Sequence, residues 1–139
     1  MSDDRVWVFD VDGCLIDSLT GTSLRPGTSE LLTHLRDQQR TILLWSAGGS
    51  EYARRRAEEQ GVATLFHAFH DKADRDHHGR YVTDGFLPAL DGVVFVDDRP
   101  EDMPVGADII SVRPYIAGNP HDRGLAPAAT RAGLDEART

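Results

Sequence analysis

Lysine is nearly missing from this chain. Of its 15 basic residues 14 are Arg, and the single Lys is Lys72. Cysteine is as scarce: Cys14 stands alone, so no intrachain disulfide can form, which fits a reducing cytoplasm. No apolar run approaches the roughly 20 residues that cross a bilayer, so no membrane partner is expected. The start, Met1-Ser2-Asp3-Asp4-Arg5, is acidic with no long apolar region behind it, and does not read as a signal peptide. A basic surplus is absent too. Twenty-three acidic residues against 15 basic give a net charge of −8, which argues against broad nucleic-acid binding and leaves nucleic acid as a substrate only. Neither G-x-x-x-x-G-K-[ST] nor G-x-G-x-x-G occurs, so a nucleotide cradle has no support.

What is present is ordinary for a globular protein: 139 residues, 40% hydrophobic and 27% charged. One domain with one core is expected over residues 1–139. Arg5-Val6-Trp7-Val8-Phe9 reads as a buried strand running into the turn Asp10-Val11-Asp12-Gly13. Residues 15–26 read as a loop or small hairpin. Thr28 is placed as the N-cap of a helix with Leu31, Leu32 and Leu35 on one face. Thr41-Ile42-Leu43-Leu44-Trp45 is a second buried strand, and residues 51–60 a charged helix closed by Gly61. A weaker strand is expected over 65–69 and a short helix within 82–90. Gly92-Val93-Val94-Phe95-Val96 is the clearest strand, and residues 108–112 form a fifth. Residues 113–139 are left as a loop and a terminal helix or tail. Strands separated by helical segments point to βαβ units. The fold expected is α/β: a three-layer sandwich around a central, mostly parallel five-stranded Rossmann-like sheet.

In such sheets chemistry collects beyond the carboxyl ends of the strands. Three of those ends are polar: Asp10/Asp12, Ser46, and Asp97/Asp98 with Asp102 behind them. If the strands are central and parallel, up to five carboxylates converge. They would repel one another unless a hard divalent cation joined them, and oxygen-only ligands suit Mg2+.

Asp10-Val11-Asp12-Gly13-Cys14-Leu15 resembles the first motif of the haloacid dehalogenase-like phosphohydrolase superfamily. Ser46 looks like the second motif's Ser/Thr, Lys72 like the third motif's Lys, and Val96-Asp97-Asp98-Arg99-Pro100-Glu101-Asp102 like the acidic fourth motif. The four occur in the right order. Cys14 departs from the commonest residue at its place.

The resemblance implies a Mg2+-dependent phosphomonoester hydrolase. Asp10 would be the nucleophile, forming an aspartyl-phosphate. Asp12 would be general acid, then general base; the dehalogenase branch lacks this second Asp. Mg2+ would be held by Asp10, the Asp12 backbone carbonyl and Asp98, with Asp97 as the other candidate and Asp102 supporting. Ser46, the N–H groups of Ala47 and Gly48, and Lys72 would bind the phosphoryl oxygens. Arg80 is the substitute for Lys72.

His67, His70, His77 and His78 match no common zinc spacing and read as loop and surface residues. Arg54, Arg55 and Arg56 read as a solvated helix face, Trp7 and Trp45 as core. The first two inter-motif stretches hold a loop and a helix, then a helix and a short strand, so there is no room for a cap domain. The resemblance is therefore to a capless member with an open site, which in the family serves a macromolecular substrate or is closed by an oligomer partner. A homo-oligomer is one option. Asp97-Asp98-Arg99 is also similar to polynucleotide 3′-phosphatase domains, so a polynucleotide 3′-end or a phosphoprotein stands as alternative substrate. A small phosphomonoester, covered by the loop 113–127, stays open. A signalling receiver fails on motif order. A non-catalytic binding module is the remaining alternative, although every catalytic residue type is present.

Overall fold

The computed structural model describes residues 4–134. Five strands form one sheet: β1 (Val6–Asp10), β2 (Thr41–Ser46), β3 (Ala68–Asp71), β4 (Val93–Asp97) and β5 (Asp108–Ser111). Their order is β3-β2-β1-β4-β5, and every neighbouring pair is parallel. The chain therefore moves outward twice on one side of β1, then restarts on the other. The crevice between β1 and β4 is the switch point, where ligands bind in open α/β sheets.

Right-handed crossovers put the first two connections on one face of the sheet and the last two on the other. The packing follows that rule. Trp7, Phe9, Ile42, Leu44, Val94, Val96 and Ile110 face one cluster. There they meet Leu31, Leu32 and Leu35 of α1 (Thr28–Asp37), Ala53 and Ala57 of α2 (Ser50–Glu59), and Ala128 of α3 (Ala126–Arg131). The alternate residues Val8, Leu43, Trp45, Val93 and Phe95 face a second cluster. That period of two is what a sheet buried on both sides requires.

The second face is closed by coil instead of the short helix expected within 82–90, where the chain makes only turns. Gly85 and Pro88 interrupt a helix there, and apolar contact does the work without one. Tyr81, Phe86 and Phe95 surround Trp45 with ring centroids 5.6–5.7 Å away. A 3-10 turn at Pro100–Asp102 completes the layer, with Tyr81 N–H donating to the Asp102 carbonyl at 2.9 Å.

Other boundaries shift. β3 starts at Ala68, not residue 65, because Ala63–Leu65 coil into a 3-10 turn. β5 stops at Ser111. Thr28 does not cap α1. Gly27, at φ +90°, holds the N-cap position, and the Thr28 hydroxyl donates back to the Arg25 carbonyl at 2.7 Å. α3 ends at Arg131, before residues 135–138 of the expected terminal helix, which lie outside the described residues. Between β1 and β2 there are only α1 and a loop held by isolated bridges, Asp12 with Ile16 and Ile16 with Leu24, and between β2 and β3 only α2 and the 3-10 turn, so no cap is inserted. No helix among the described residues is long and apolar enough to cross a membrane.

Candidate active site

β1 and β4 run side by side, so their carboxyl ends deliver Asp10 and Asp97 to one place. Lys72, on the coil just beyond β3, reaches across to both. Its Nζ donates to Asp10 Oδ1 at 2.8 Å and to Asp97 Oδ2 at 3.0 Å. Its position is set by the chain around it: the Lys72 N–H donates to the Ser46 carbonyl at 2.8 Å. The rings of Trp45 and Tyr81 lie 5.3 and 5.5 Å from Nζ, within cation–π range. With 6% of its side chain exposed, Lys72 is a buried cation between two carboxylates and two aromatic faces. Burial opposes its charge, but Asp10 and Asp97 outweigh burial and drive its pKa well up.

The carboxylates respond the other way. Burial raises Asp10 to about 7, with Lys72 pulling it down and Asp98 pushing it up. Burial and the neighbouring Asp10 raise Asp97 to about 6. Burial raises Asp98 as well. One lysine does not neutralise this group of acids.

Asp10, Asp97 and Asp98 each offer an oxygen, and these lie within 4.8 Å of one another. Their partners separate the roles. Asp97 is fully engaged, with Oδ2 on Lys72 and Oδ1 accepting the Arg99 N–H at 2.8 Å. Asp98 Oδ1 is buried and accepts no hydrogen bond. Its other oxygen sits against Gly13, where a Cβ would lie 2.7 Å away and where φ is +80°. Among the described residues no donor is bonded to the Asp12 carbonyl either. An orphaned Asp98 oxygen beside the Asp10 carboxyl makes an all-oxygen donor set, which fits a hard divalent cation. Of the two candidates, Asp98 is the one with an oxygen that accepts no hydrogen bond.

Ser46, at the end of β2, is 2% exposed. Its Oγ accepts the Gly48 N–H at 3.0 Å, which leaves its own proton to donate. Gly48 N–H is thus already engaged, whereas Ala47 N–H has no partner among the described residues. α2 starts directly behind this loop, its Ser50 N–H held by the Asp71 carboxylate. Asp12 is exposed, and its Oδ1 accepts the Tyr52 hydroxyl at 2.7 Å. Burial, then Asp12 itself, push the Tyr52 phenol up and keep it a donor. Sequence reasoning missed Asp71 and Tyr52. The place of Tyr52, one turn into the helix behind Ser46, was the available signal.

Other candidates fall outside. Asp102 does not join the carboxylates, because the 3-10 turn swings it towards Arg99 Nε at 3.0 Å and Arg75 at 3.5 Å. Arg80 is not at the site. Its guanidinium donates to the Met103 carbonyl at 3.0 Å, whereas Lys72 is the cation that reaches Asp10 and Asp97. The histidines do not cluster. His67 Nδ1 accepts the Ile42 N–H at the amino end of the sheet, His70 stacks on Phe86 at 4.1 Å, and His77 and His78 sit in an exposed turn.

The loop before α3, residues 113–125, is pinned in place, two residues shorter than expected because α3 starts at Ala126. Arg25, 1% exposed, donates to Asp122 Oδ1 at 2.6 Å and to the carbonyls of Cys14 and Arg113 at 3.1 and 2.7 Å. Tyr115 N–H donates to the Gly13 carbonyl at 2.7 Å. The buried guanidinium thereby ties this loop to the turn that follows Asp12.

Two solved structures share the fold. A Clostridium difficile protein provisionally described as a phosphatase superposes with a TM-score of 0.63 at 13% identity, covering 94% of this chain and 98% of its own. A hypothetical protein from Xanthomonas campestris gives 0.54 at 15% identity, covering 99% and 87%. No curated protein sequence matches the chain. The profile of the NLI interacting factor-like phosphatases matches residues 6–132, from the first strand to past the last helix. The chain belongs to that haloacid dehalogenase-like phosphatase family, and it is a phosphatase.

Proposed function

We propose that the chain hydrolyses phosphomonoesters with Mg2+ through a phosphorylated Asp10. The observation that carries this reading is the Asp10 carboxylate, held at 2.8 Å by Lys72 beside the unpartnered oxygen of Asp98. In the first step an Asp10 oxygen bonds to phosphorus as the ester P–O bond breaks, and Asp12 gives its proton to the departing oxygen. In the second, Asp12 takes a proton from water. The water oxygen bonds to phosphorus, the Asp10–phosphorus bond breaks, and inorganic phosphate leaves.

Lys72 holds the nucleophile and faces its charge towards the phosphoryl oxygens; the Ser46 hydroxyl and the Ala47 N–H complete that cradle. Asp97 anchors Lys72. Asp10, Asp98 and the Asp12 carbonyl would hold the Mg2+, which would supply positive charge to offset the repulsion between carboxylate and phosphate. The absence of a cap and the exposure of Asp12 and Ala47 favour a phosphate carried on the end or surface of a large molecule.

The test is hydrolysis of an aryl phosphate with Mg2+ and with EDTA, alongside Asp10→Asn and Asp12→Asn. Metal-dependent turnover lost in both variants is expected. Turnover that survives Asp10→Asn overturns the nucleophile. A panel of small phosphomonoesters, phosphopeptides and 3′-phosphorylated oligonucleotides then sorts the substrate classes, and failure on all of them favours a binding module.

A further inference from the structure

Residues 52, 56 and 60 lie four apart and share one face of α2 and its end. All three grip the segment that follows β1. Tyr52 donates its hydroxyl to Asp12 Oδ1 at 2.7 Å. The Arg56 guanidinium fills the space beside Gly21, where a Cβ would meet it at 2.9 Å. Gln60 donates to the Thr22 carbonyl at 2.7 Å.

The phenol between them has little freedom. Arg56 lies over the Tyr52 ring at 5.1 Å. On the side of the phosphate loop, a Cβ at Gly48 would sit 2.8 Å from the ring. The helix that carries Tyr52 is itself fixed at its start by Asp71 on the Ser50 N–H. Asp12, by contrast, is an exposed side chain in a turn, and Tyr52 is the side-chain partner it has among the described residues.

From this geometry we propose that Tyr52 is the positioning residue for Asp12. The inference rests on the reading of Asp12 as general acid and base. By occupying Oδ1, the phenol holds the carboxyl rotamer and leaves Oδ2 as the oxygen that carries the transferred proton. That proton moves from Oδ2 to the leaving oxygen as the ester bond breaks, and later from water back to Oδ2. Tyr52 keeps its own proton throughout. The helix behind the phosphate loop thus sets the distance between the two halves of the site.

The experiment compares kcat/KM for an alkyl phosphate, whose leaving oxygen needs a proton, with that for p-nitrophenyl phosphate, whose leaving oxygen does not. Tyr52→Phe keeps the ring against Gly48 and Arg56 and removes the donor, and a thermal melt checks that it folds. The ratio of alkyl to aryl kcat/KM is expected to fall about tenfold, as for loss of one hydrogen bond to a charged group. Equal losses on both substrates, or no loss on either, overturn the proposal. Asp12→Asn is measured beside it in single turnovers with enzyme in excess. A ratio unchanged by Asp12→Asn means that the acid–base reading of Asp12 fails. A ratio lowered by Asp12→Asn but not by Tyr52→Phe means that Asp12 transfers the proton without Tyr52 positioning it.

Discussion

Gly13 passes so closely under Asp98 that a Cβ at position 13 would stand 2.7 Å from Asp98 Oδ2. Two demands meet at this glycine. Its φ of +80° lies in the left-handed region, and its missing side chain makes room for a carboxylate whose other oxygen is unpaired. Gly13→Ala is expected to cost about 1–2 kcal/mol from backbone strain. It should also weaken Mg2+ binding by about tenfold, the lower end of what disturbing a ligand's support does. Urea denaturation and a Mg2+ titration check the two separately; an unchanged affinity would remove Asp98 from the cation site.

Replacing Lys72 by Met leaves Asp10 and Asp97 buried without their shared cation. Removing one partner of a buried pair destabilises by about 3–5 kcal/mol. Turnover is expected to drop by about 100-fold or more, as for loss of an electrostatic stabiliser. Lys72→Arg restores the charge but not the shape, because Trp45 and Tyr81 flank a site built for a point cation. Partial stability with poor turnover is the expected result for Arg, read by melting and by steady-state rates.

Acidity and metal compete for the same oxygens. Asp10 and Asp97 titrate at about 7 and about 6 when folded, against about 3.9 unfolded. Between those limits the folded state binds more protons than the unfolded, so metal-free protein loses stability as pH rises from about 4 to about 7. Asp17 acts oppositely in a lower window. Burial opposes its charge, but donors from Thr20, Ser23 and Thr22 hold it at about 2, so its contribution is lost only in stronger acid. Mg2+ at Asp10 and Asp98 should displace the Asp10 proton, and its stabilisation should grow across the same interval. Melts with EDTA and with Mg2+ at pH 5 and pH 8 test this; a metal effect no larger at pH 8 contradicts it.

Arg25 predicts a structural loss away from the chemistry. Arg25→Met removes three anchors at once, to Asp122, Cys14 and Arg113. Destabilisation of about 3 kcal/mol is expected, with faster protease cleavage in residues 113–124. Gly124→Ala should behave alike, since a Cβ there would lie 1.8 Å from the Arg25 guanidinium. Unchanged cleavage would mean that the loop is held by other contacts.

Much of the site could be read from residue order. Asp10, Asp12, Ser46 and Asp97/Asp98 end clear apolar strands, and parallel topology brings such ends together. What could not be read lay on irregular backbone. The choice of Lys72 over Arg80 depended on a coil whose spacing has no period. Asp102 misled because its four-residue offset from Asp98 says nothing of the 3-10 turn that points it at Arg99. A short helix is expected within 82–90 despite Gly85 and Pro88, yet Phe86, Leu87 and Leu90 pack on the sheet from turns. Tyr52 sits in a charged helix, and its partner Asp12 is remote in sequence, so no local pattern pairs them.

The adjacency of β1 and β4 has a temporal side. These strands share a crevice, yet most of the chain lies between them in sequence. Asp10 and Asp12 leave the ribosome before Asp98, which emerges only after β2, β3 and the coil of residues 72–92 have been made. A growing chain therefore carries Asp10 before it has Lys72, and Lys72 before it has Asp97 and Asp98. The carboxylate cluster is complete only when β4 lies beside β1 at the centre of the sheet.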